Sequence, residues 1–445
     1  MKKIILLSFI VLLSTQLTAQ IPKGDRILAW QIDLAQNSNY DSSFAYAQKA
    51  CMESAHLFFT WSQLEPNQGN FDSAFISSTL DIVDFYFPYK NTSIELQIAT
   101  INTVAKETPA DLFNISFSDT AMISRFKTTL DTIFAHIPNV EITALNIGNE
   151  SDIFFGTDSL QYIAYKTFLD SVVPYAKQIY FNLHGKDLKI GTTLTHDGLT
   201  SPNQSNLCKV LNDSLDIVSV TYYPLNSDFT MQSPSVVFTD FNSIVNYYPD
   251  TLQPIYFVEC GYASSAICNS SETLQSQFFH NVFTAWDTHK SNIKYLSIFK
   301  TTDWSQATVD DLGQYYGITD TIFLEYLRTL GVRTWDNDGT NKIAYETIRC
   351  ELHARNWCQV NCNSVSIEEP ENLNSVSIYP NPTYGRITIN TADKVSSVQL
   401  FNMEGKLLFS TTETTFEIES IAKGLYLIII QLESGEIYRS KLIKE

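Results

Sequence analysis

Eight short apolar runs, separated by longer amphipathic stretches, constrain the fold of this chain more than any other feature. Each intervening stretch is long enough for a crossover helix, which two parallel strands require. Near-continuous apolar strands that alternate with helices indicate an α/β fold with a parallel sheet. The runs span residues 27–33, 55–61, 94–100, 142–148, 188–194, 216–223, 254–260 and 294–300.

Eight such units within residues 24–357 predict a (β/α)8 TIM barrel. A doubly wound open sheet is the alternative, but no Gly-rich phosphate loop follows any of the runs. Apolar side chains recur at steps of three and four in residues 272–290 and predict a helix there. The long eighth connection is expected to hold an inserted helix at 321–331, a tight turn at 335–341 and a closing helix at 342–355.

The C-terminal part of the chain has a different pattern. Residues 376–445 contain seven short β-rich runs, separated at close spacing by turn residues. This pattern predicts a small β-sandwich. Residues 358–375 are polar, have little periodicity and are interpreted as a linker.

The N-terminus has the order of a secretory signal peptide. Lys2 and Lys3 precede an apolar run at residues 4–13 and a polar stretch that ends at Ala19, so residues 1–19 are the predicted signal. This run is too short to span a membrane, and no other segment has the length of a transmembrane helix. The formal net charge of −19 argues against nucleic acid or an anionic membrane surface as a partner.

Export permits disulfides among the seven cysteines. Close spacing favours two bridges, Cys260 with Cys268 and Cys350 with either Cys358 or Cys362, although spacing does not fix the connectivity. The odd number leaves at least one thiol without an intramolecular partner. Cys51 and Cys208 are interpreted as small buried apolar residues.

A glutamate lies just past the fourth apolar run and another lies near the end of the seventh. Glu150 follows "ITALNIGN", and Glu259 lies at the end of "PIYFVEC". In a (β/α)8 barrel the functional side chains lie at the C-terminal ends of the strands, and strands four and seven face each other across the mouth. Two facing carboxylates suit glycoside hydrolysis. We therefore predict that Glu150 and Glu259 are catalytic, rather than two salt-bridged residues on the rim.

Aromatic residues near other strand ends are candidate substrate contacts. Tyr222 and Tyr223 end the sixth run, where a phenol can donate a hydrogen bond to a carboxylate nucleophile and tune its pKa. Trp61 ends the second run, Trp304 follows the eighth, and Trp30 lies on the first. The C–H faces of sugar rings pack on aromatic rings such as indole. All five of these aromatic residues are therefore predicted to bind substrate. Packing in the core is the alternative for each.

The strand-end motifs resemble glycoside hydrolase clan A, whose barrels carry an Asn-Glu pair after strand four and a Glu after strand seven. "IGNE" and "FVECGY" match these motifs, and "SVTYYP" and "WSQLEPNQG" are also similar to the clan. The resemblance implies that Glu150 is the acid/base, Glu259 the nucleophile, and Asn149 a hydrogen-bond partner of the substrate 2-hydroxyl. It implies no cofactor.

Within that clan, the chain is similar to endo-β-1,4-galactanases and β-1,3-glucanases. The resemblance implies a retaining hydrolase that acts on a β-linked polysaccharide or oligosaccharide. A transglycosylase would use the same two carboxylates. A non-catalytic surface glycan-binding protein would retain the tryptophans without needing both glutamates.

A second resemblance covers the C-terminal runs. "SIYPNPTYGRITI", "VQLFNMEGKLLFS" and "GLYLIIIQLESGEIYRSKLIK" resemble the C-terminal sorting domain of type IX secretion. This implies that the type IX machinery of a Bacteroidetes-type cell exports the protein through the outer membrane, to the cell surface or the medium. An ordinary β-sandwich binding module is the alternative.

Two other classes of enzyme have no support in the sequence. The seven histidines form no HExxH and no other metal-ligand spacing, so no zinc site is expected. A serine hydrolase of the Ser-His-Asp type would need a G-x-S-x-G elbow, and the sequence contains none.

Overall fold

The computed structural model of the protein describes residues 23–360, 362, 376–391, 393–402, 406–433 and 437–444. These residues form two compact units that divide in sequence after residue 364. The predicted signal peptide, residues 1–19, and most of the predicted linker, residues 358–375, lie outside the described residues. Among the residues described, no helix combines the length and the apolar character needed to cross a membrane.

The N-terminal unit is a barrel of eight parallel strands, which confirms the predicted (β/α)8 fold. The eighth strand pairs with the first, so the sheet closes on itself and is not an open doubly wound sheet. The strands are β1 (Ile27–Trp30), β2 (Ser54–Thr60), β3 (Ser93–Asn102), β4 (Ile142–Asn149), β5 (Ile190–Gly191 and Thr193–Thr195), β6 (Val218–Tyr222), β7 (Ile255–Cys260) and β8 (Ile293–Ile298).

Strand β5 closes the ring in two pieces. Its first piece pairs with β4 and its second piece with β6. The interruption is Thr192, whose hydroxyl donates a hydrogen bond to the carbonyl of Ile147 at 2.7 Å. A side chain thus contacts the neighbouring strand where the backbone ladder is broken.

Helices fill the connections between strands. Their bounds are α1 (Tyr40–Lys49), α2 (Trp61–Leu64), α3 (Ser73–Phe75), α4 (Asp81–Tyr89), α5 (Thr120–His136), α6 (Ser151–Phe155), α7 (Ser159–His184), α8 (His196–Thr200), α9 (Ser205–Asn212), α10 (Val236–Tyr247), α11 (Glu272–Thr288), α12 (Gln306–Tyr316), α13 (Thr321–Arg328) and α14 (Ile343–Ala354). A π-helical turn, Ile76–Leu80, joins α3 to α4. Ala110–Leu112 and Ala266–Cys268 are 3-10 turns, and the short strand Ala105–Lys106 runs antiparallel to β3.

Helix α11 forms where the periodicity predicts it. The Ser271 hydroxyl accepts a hydrogen bond from the Leu274 amide and caps the first turn. The apolar side chains that recur along residues 272–290 are mostly buried against the barrel core. Helices α13 and α14 match the inserted and closing helices expected in the eighth connection, whereas α12 was not anticipated.

The disulfides correct part of the sequence interpretation. Cys350 pairs with Cys362 as one of the predicted alternatives, but Cys51 pairs with Cys358 across 307 residues and is not an isolated apolar residue. The bridge expected between Cys260 and Cys268 is wrong, because each thiol packs separately into the hydrophobic core. Closure of the barrel brings α1 near the chain after α14. The spacing of the cysteines in the sequence does not predict that proximity.

The C-terminal unit consists of seven antiparallel strands in two sheets, as a small β-sandwich requires. One sheet has the order β9-β10-β13 and the other β12-β11-β14-β15. Alternate apolar side chains of both sheets form one core. The strands are β9 (Ser377–Tyr379), β10 (Arg386–Asn390), β11 (Val395–Phe401), β12 (Leu407–Thr411), β13 (Thr415–Glu417), β14 (Gly424–Leu432) and β15 (Ile437–Lys444).

Candidate active site

A cavity of about 560 Å³ lies at the C-terminal ends of the barrel strands. Glu150 and Glu259 both line it, so the structure brings the two predicted carboxylates into one site. Strand ends β2, β4, β6 and β7 contribute to the wall, together with the long connection between β8 and α14. Catalytic groups of (β/α)8 barrels lie at this face of the fold.

The backbone before Glu150 requires a glycine. Gly148 has φ +87°, and a Cβ at this position would lie 2.4 Å from the Tyr165 hydroxyl oxygen. Glu150 itself has φ +47°, in the left-handed region that costs a residue with a side chain roughly 1–3 kcal/mol. This turn ends β4 abruptly. Strained backbone of this kind is concentrated at functional sites.

Two threonine hydroxyls hold the Glu150 carboxylate. Thr103 donates to Oε2 at 2.8 Å from the end of β3, and Thr221 donates to Oε1 at 2.7 Å from β6. Burial raises the pKa of Glu150, although both hydrogen bonds lower it. The carboxyl is therefore oriented by neutral groups, with no cation among its hydrogen-bond partners in the described residues.

Asn149 is held by two residues of β3. Its side-chain carbonyl accepts a hydrogen bond from Gln97 at 2.7 Å, and its amide donates to Asn102 at 2.9 Å. Strand β3 carries two extra residues relative to β4 between the Ile98–Ile147 and Asn102–Asn149 pairs. The irregularity places Asn102 opposite Asn149. The amide of Asn149, which also lines the cavity, is fixed before any ligand arrives.

An irregularity in β7 directs Glu259 into the site. Val220 of β6 lies opposite Phe257, whereas the next residue, Thr221, lies opposite Glu259, so β7 has one extra residue, Val258. Such a bulge re-aims the side chains that follow it. The shift brings Glu259 into register with Thr221, the residue that bonds Glu150.

Glu259 has partners that favour its charged form. The Tyr223 phenol donates a hydrogen bond to Oε2 at 2.6 Å. Burial and the negative charge of Glu150 raise the pKa of Glu259 to about 7, although His56 and the Tyr223 hydrogen bond lower it. The two carboxyls are thus coupled, as two acids in one buried site must be.

A polar network crosses the interior of the barrel beneath the carboxylates. His56 of β2 contacts the Glu95 carboxylate of β3, and Asn146 of β4 donates to the same carboxylate at 2.6 Å. Burial alone lowers the pKa of His56, but the charge of Glu95, supported by that of Glu259, outweighs this effect and raises it. The raised pKa favours protonated His56, whose charge lowers the pKa of Glu259, whereas the charge of Glu95 raises it.

The two tyrosines of "TYYP" have separate environments. Tyr223 bonds Glu259, whereas the Tyr222 phenol donates to Asp240 at 2.7 Å and its ring packs in the core. Nothing in the sequence distinguishes these neighbours. Their opposite directions follow from strand alternation at the end of β6.

Of the three predicted sugar-binding tryptophans, the structure places only Trp304 in the cavity wall. Its indole N–H donates to Asp33 at 3.2 Å, and the Lys300 ammonium lies 3.4 Å from its ring centroid. Trp30 and Trp61 are fully buried in the core, so their rings cannot stack on a ligand and they are not part of the site proposed below.

Several residues of the site were not predicted from the sequence. Three of them lie in strands or turns where the sequence pattern consists of apolar or aromatic neighbours. They are Thr103, Thr221 and His56. Tyr316 and Tyr326 belong to the connection after β8 and line the cavity. In the sequence, only the tyrosines of that connection indicate that it contributes to the site.

Comparison with known proteins assigns the C-terminal unit. The family described as "Secretion system C-terminal sorting domain" matches residues 377–445. The C-terminal unit is a secretion sorting domain. The chain is therefore exported through the outer membrane, as its resemblance to type IX cargo implies. No curated protein matches the chain in sequence.

Solved structures share the barrel fold. The chain is similar to the exo-β-1,4-mannosidase Op5Man5 from Opitutaceae bacterium strain TAV5, at a TM-score of 0.54 and 13% identity over 74% of this chain. It spans 60% of the length of that mannosidase. It is also similar to a GH5_18 protein from Streptomyces cattleya solved with Manβ1-4GlcNAc, at a TM-score of 0.54 and 12% identity over 72% of this chain and 76% of the other.

A further similar structure is the GH5_18 protein of Bifidobacterium longum subsp. longum ATCC 55813, at a TM-score of 0.54 and 11% identity over 76% of this chain and 80% of the other. At such low identities the likeness shows the fold alone. Any activity of this chain has to be argued from its own site.

The turn before Glu150 predicts the effect of a methyl group at residue 148. Gly148→Ala should lower the free energy of unfolding by about 2–5 kcal/mol, because it adds backbone strain to overpacking against Tyr165. Urea unfolding followed by tryptophan fluorescence measures this, since all six tryptophans precede residue 358.

Gly185→Ala is the matched control. Gly185 also has a positive φ of +63°, but a Cβ there would meet no atom within 4 Å. It should lose only about 1–2 kcal/mol from strain. Equal losses in the two variants would contradict the packing argument at Gly148.

Proposed function

We propose that the protein is a retaining β-glycosidase of the clan A type. The observation that carries this proposal is the pair of carboxylates, Glu150 after β4 and Glu259 on β7, that line one cavity and both have raised pKa values. Retaining glycosidases need two facing carboxyls of which one is protonated and the other ionised. The glycosidases among the solved structures of similar fold support the same assignment.

The surroundings of each carboxyl favour different roles. Glu259 accepts a hydrogen bond from a phenol and lies near the His56 imidazolium, and both stabilise a negative charge. Within the part of the chain that the structure describes, the Glu150 carboxylate is hydrogen-bonded by threonine hydroxyls, which tolerate a protonated carboxyl. Because the two acids repel each other's charge, they titrate as a coupled pair. The proposed roles require the charge on Glu259 and the proton on Glu150 in the reactive state.

The proposed reaction follows from that partition. The Glu259 carboxylate attacks the anomeric carbon while Glu150 gives its proton to the departing oxygen, so a C–O bond to the enzyme forms as the glycosidic C–O bond breaks. Glu150, now a carboxylate, removes a proton from water, and that water displaces Glu259 from the anomeric carbon. Asn149 is the proposed partner of the 2-hydroxyl, and Trp304 the platform for the sugar ring.

The sequence resemblance to β-1,4-galactanases and β-1,3-glucanases makes β-galactan and β-glucan the first polysaccharides to test. The mannosidase of similar fold adds β-mannosides. A transglycosylase would transfer the same glycosyl group to a sugar acceptor in place of water. A glycan-binding protein would bind these polymers without cleaving them.

The proposed activity should depend on both carboxylates. The purified chain should release reducing ends from at least one β-glycan or β-glycoside of this panel, and Glu259→Ala and Glu150→Ala should each lower the rate by about 10³-fold or more, because a nucleophile and a proton donor are lost. Glu141→Ala is the control, since Glu141 is 63% exposed at the opposite end of β4. It should retain full activity.

Azide distinguishes the two roles. In Glu259→Ala it should take the place of the nucleophile and give an α-glycosyl azide, whereas in Glu150→Ala it should attack the glycosyl-enzyme and give a β-glycosyl azide. Binding of a glycan that neither the native chain nor Glu259→Ala cleaves would favour the glycan-binding alternative.

The pH dependence of that activity tests the role of Tyr223. The nucleophile acts when ionised, so activity is lost as pH falls through its pKa. Tyr223→Phe removes a donor that lowers the pKa of Glu259. The acid limb of kcat/KM should therefore move up by roughly 1–2 pH units, the equivalent of a charge-assisted hydrogen bond.

Tyr222→Phe is the comparison for this measurement. Its phenol bonds Asp240, so the acid limb should stay where it is in the native chain. An acid limb that is unmoved in Tyr223→Phe, or moved equally by both substitutions, would contradict the role given to Tyr223.

A further inference from the structure

Apolar side chains surround Glu150 where the cavity opens. We call the set the apolar rim, and its members are Val104, Ile153, Leu312, Tyr316 and Ile318, all of which line the cavity. Val104 is 43% exposed and Ile153 47% exposed, and the other three are partly buried. A branched aliphatic side chain exposed inside a functional cavity marks a surface that a ligand covers.

The apolar rim belongs to the Glu150 side of the cavity. Val104 follows Thr103, whose hydroxyl bonds the Glu150 carboxylate, and the Ile153 amide donates to the Glu150 carbonyl at 3.0 Å. Burial raises the pKa of the Tyr316 phenol, and the negative charge of nearby Glu150 raises it further. Three separate segments of the chain therefore bring apolar groups to the same carboxyl.

Polar groups of the cavity lie beside Glu150, as Thr103 and Asn149 do, and also on the side away from the apolar rim. Gln31 follows β1, His56 is on β2, and Trp304, with its bonded Asp33, follows β8. A sugar ring needs hydrogen-bond partners for its hydroxyls and a flat face for its C–H groups, and these strand ends supply both. Leucine, isoleucine and valine supply neither a donor nor an acceptor.

The chemistry of the site decides which part of a substrate meets the apolar rim. The proton donor must lie beside the departing oxygen, so whatever is attached to that oxygen leaves past Glu150. The glycone occupies the side of Glu259 and Trp304. The apolar rim then contacts the leaving group.

We propose that the leaving-group site of this enzyme takes an apolar aglycone, an alkyl or aryl group, and that its substrates are β-glycosides of apolar alcohols. The inference rests on the proposed glycosidase function and narrows it. A sugar in the leaving-group position, as in a polysaccharide, is the competing occupant.

A series of alkyl β-glycosides tests this. Methyl, butyl and hexyl glycosides of the sugar that the enzyme cleaves fastest have alcohols of similar acidity, so the chain length changes binding and not the chemistry. Each fully buried methylene is worth about a fourfold gain in kcat/KM. Partial burial along the rim should still give at least about a tenfold gain from methyl to hexyl.

Variants of the apolar rim should remove this gain. Val104→Ser and Ile318→Ser should each flatten the dependence of kcat/KM on chain length, so that the hexyl-to-methyl ratio falls towards one. Val104 is exposed enough that its substitution leaves the fold intact. Leu252→Ser is the control, because Leu252 is 89% exposed, lies outside the cavity, and should keep the full gain.

Two results would overturn the inference. One is equal kcat/KM for methyl and hexyl glycosides, and the other is faster cleavage of a disaccharide with the same glycone than of the hexyl glycoside. Failure of the proposed function is distinct, because in that case no glycoside of any aglycone, including an activated aryl glycoside, would be cleaved.

Discussion

The repulsion between two carboxylates that share one cavity is the constraint on which the rest of the site depends. Glu150 and Glu259 share one cavity, and burial alone raises the pKa of both. A single proton on one of them removes most of the repulsion. The hydrogen bond from Tyr223 and the charge of His56 lower the pKa of Glu259, which supports the proposed division into one acid and one nucleophile.

The barrel supplies this arrangement through irregularities at its strand ends. Gly148 permits the turn that gives Glu150 a left-handed backbone, and the extra residue Val258 in β7 brings Glu259 into register with Thr221. Each departure from regular strand geometry costs free energy that the remaining parallel ladder and the buried core must supply. The connection after β8 adds the side chains that narrow the mouth, including Tyr316.

The sequence allowed the fold to be predicted because apolar runs mark buried parallel strands, and each predicted run overlaps a barrel strand. The positions of Glu150 and Glu259 followed from the same pattern. The bulge in β7 and the pairing of Cys51 with Cys358 did not, because both depend on contacts between segments far apart in the chain. Trp30 shows a related limit, since an indole at a strand end serves a core as well as a ligand.

The central claim is that Glu259 forms a covalent bond to the sugar, and trapping that bond tests it most directly. A 2-deoxy-2-fluoro glycoside with a good leaving group slows the second step more than the first, so the glycosyl-enzyme accumulates. Mass spectrometry should show one added glycosyl group per chain, located on the peptide that contains Glu259. A label on any other residue, or steady turnover of glycosides by Glu259→Ala, would contradict the account.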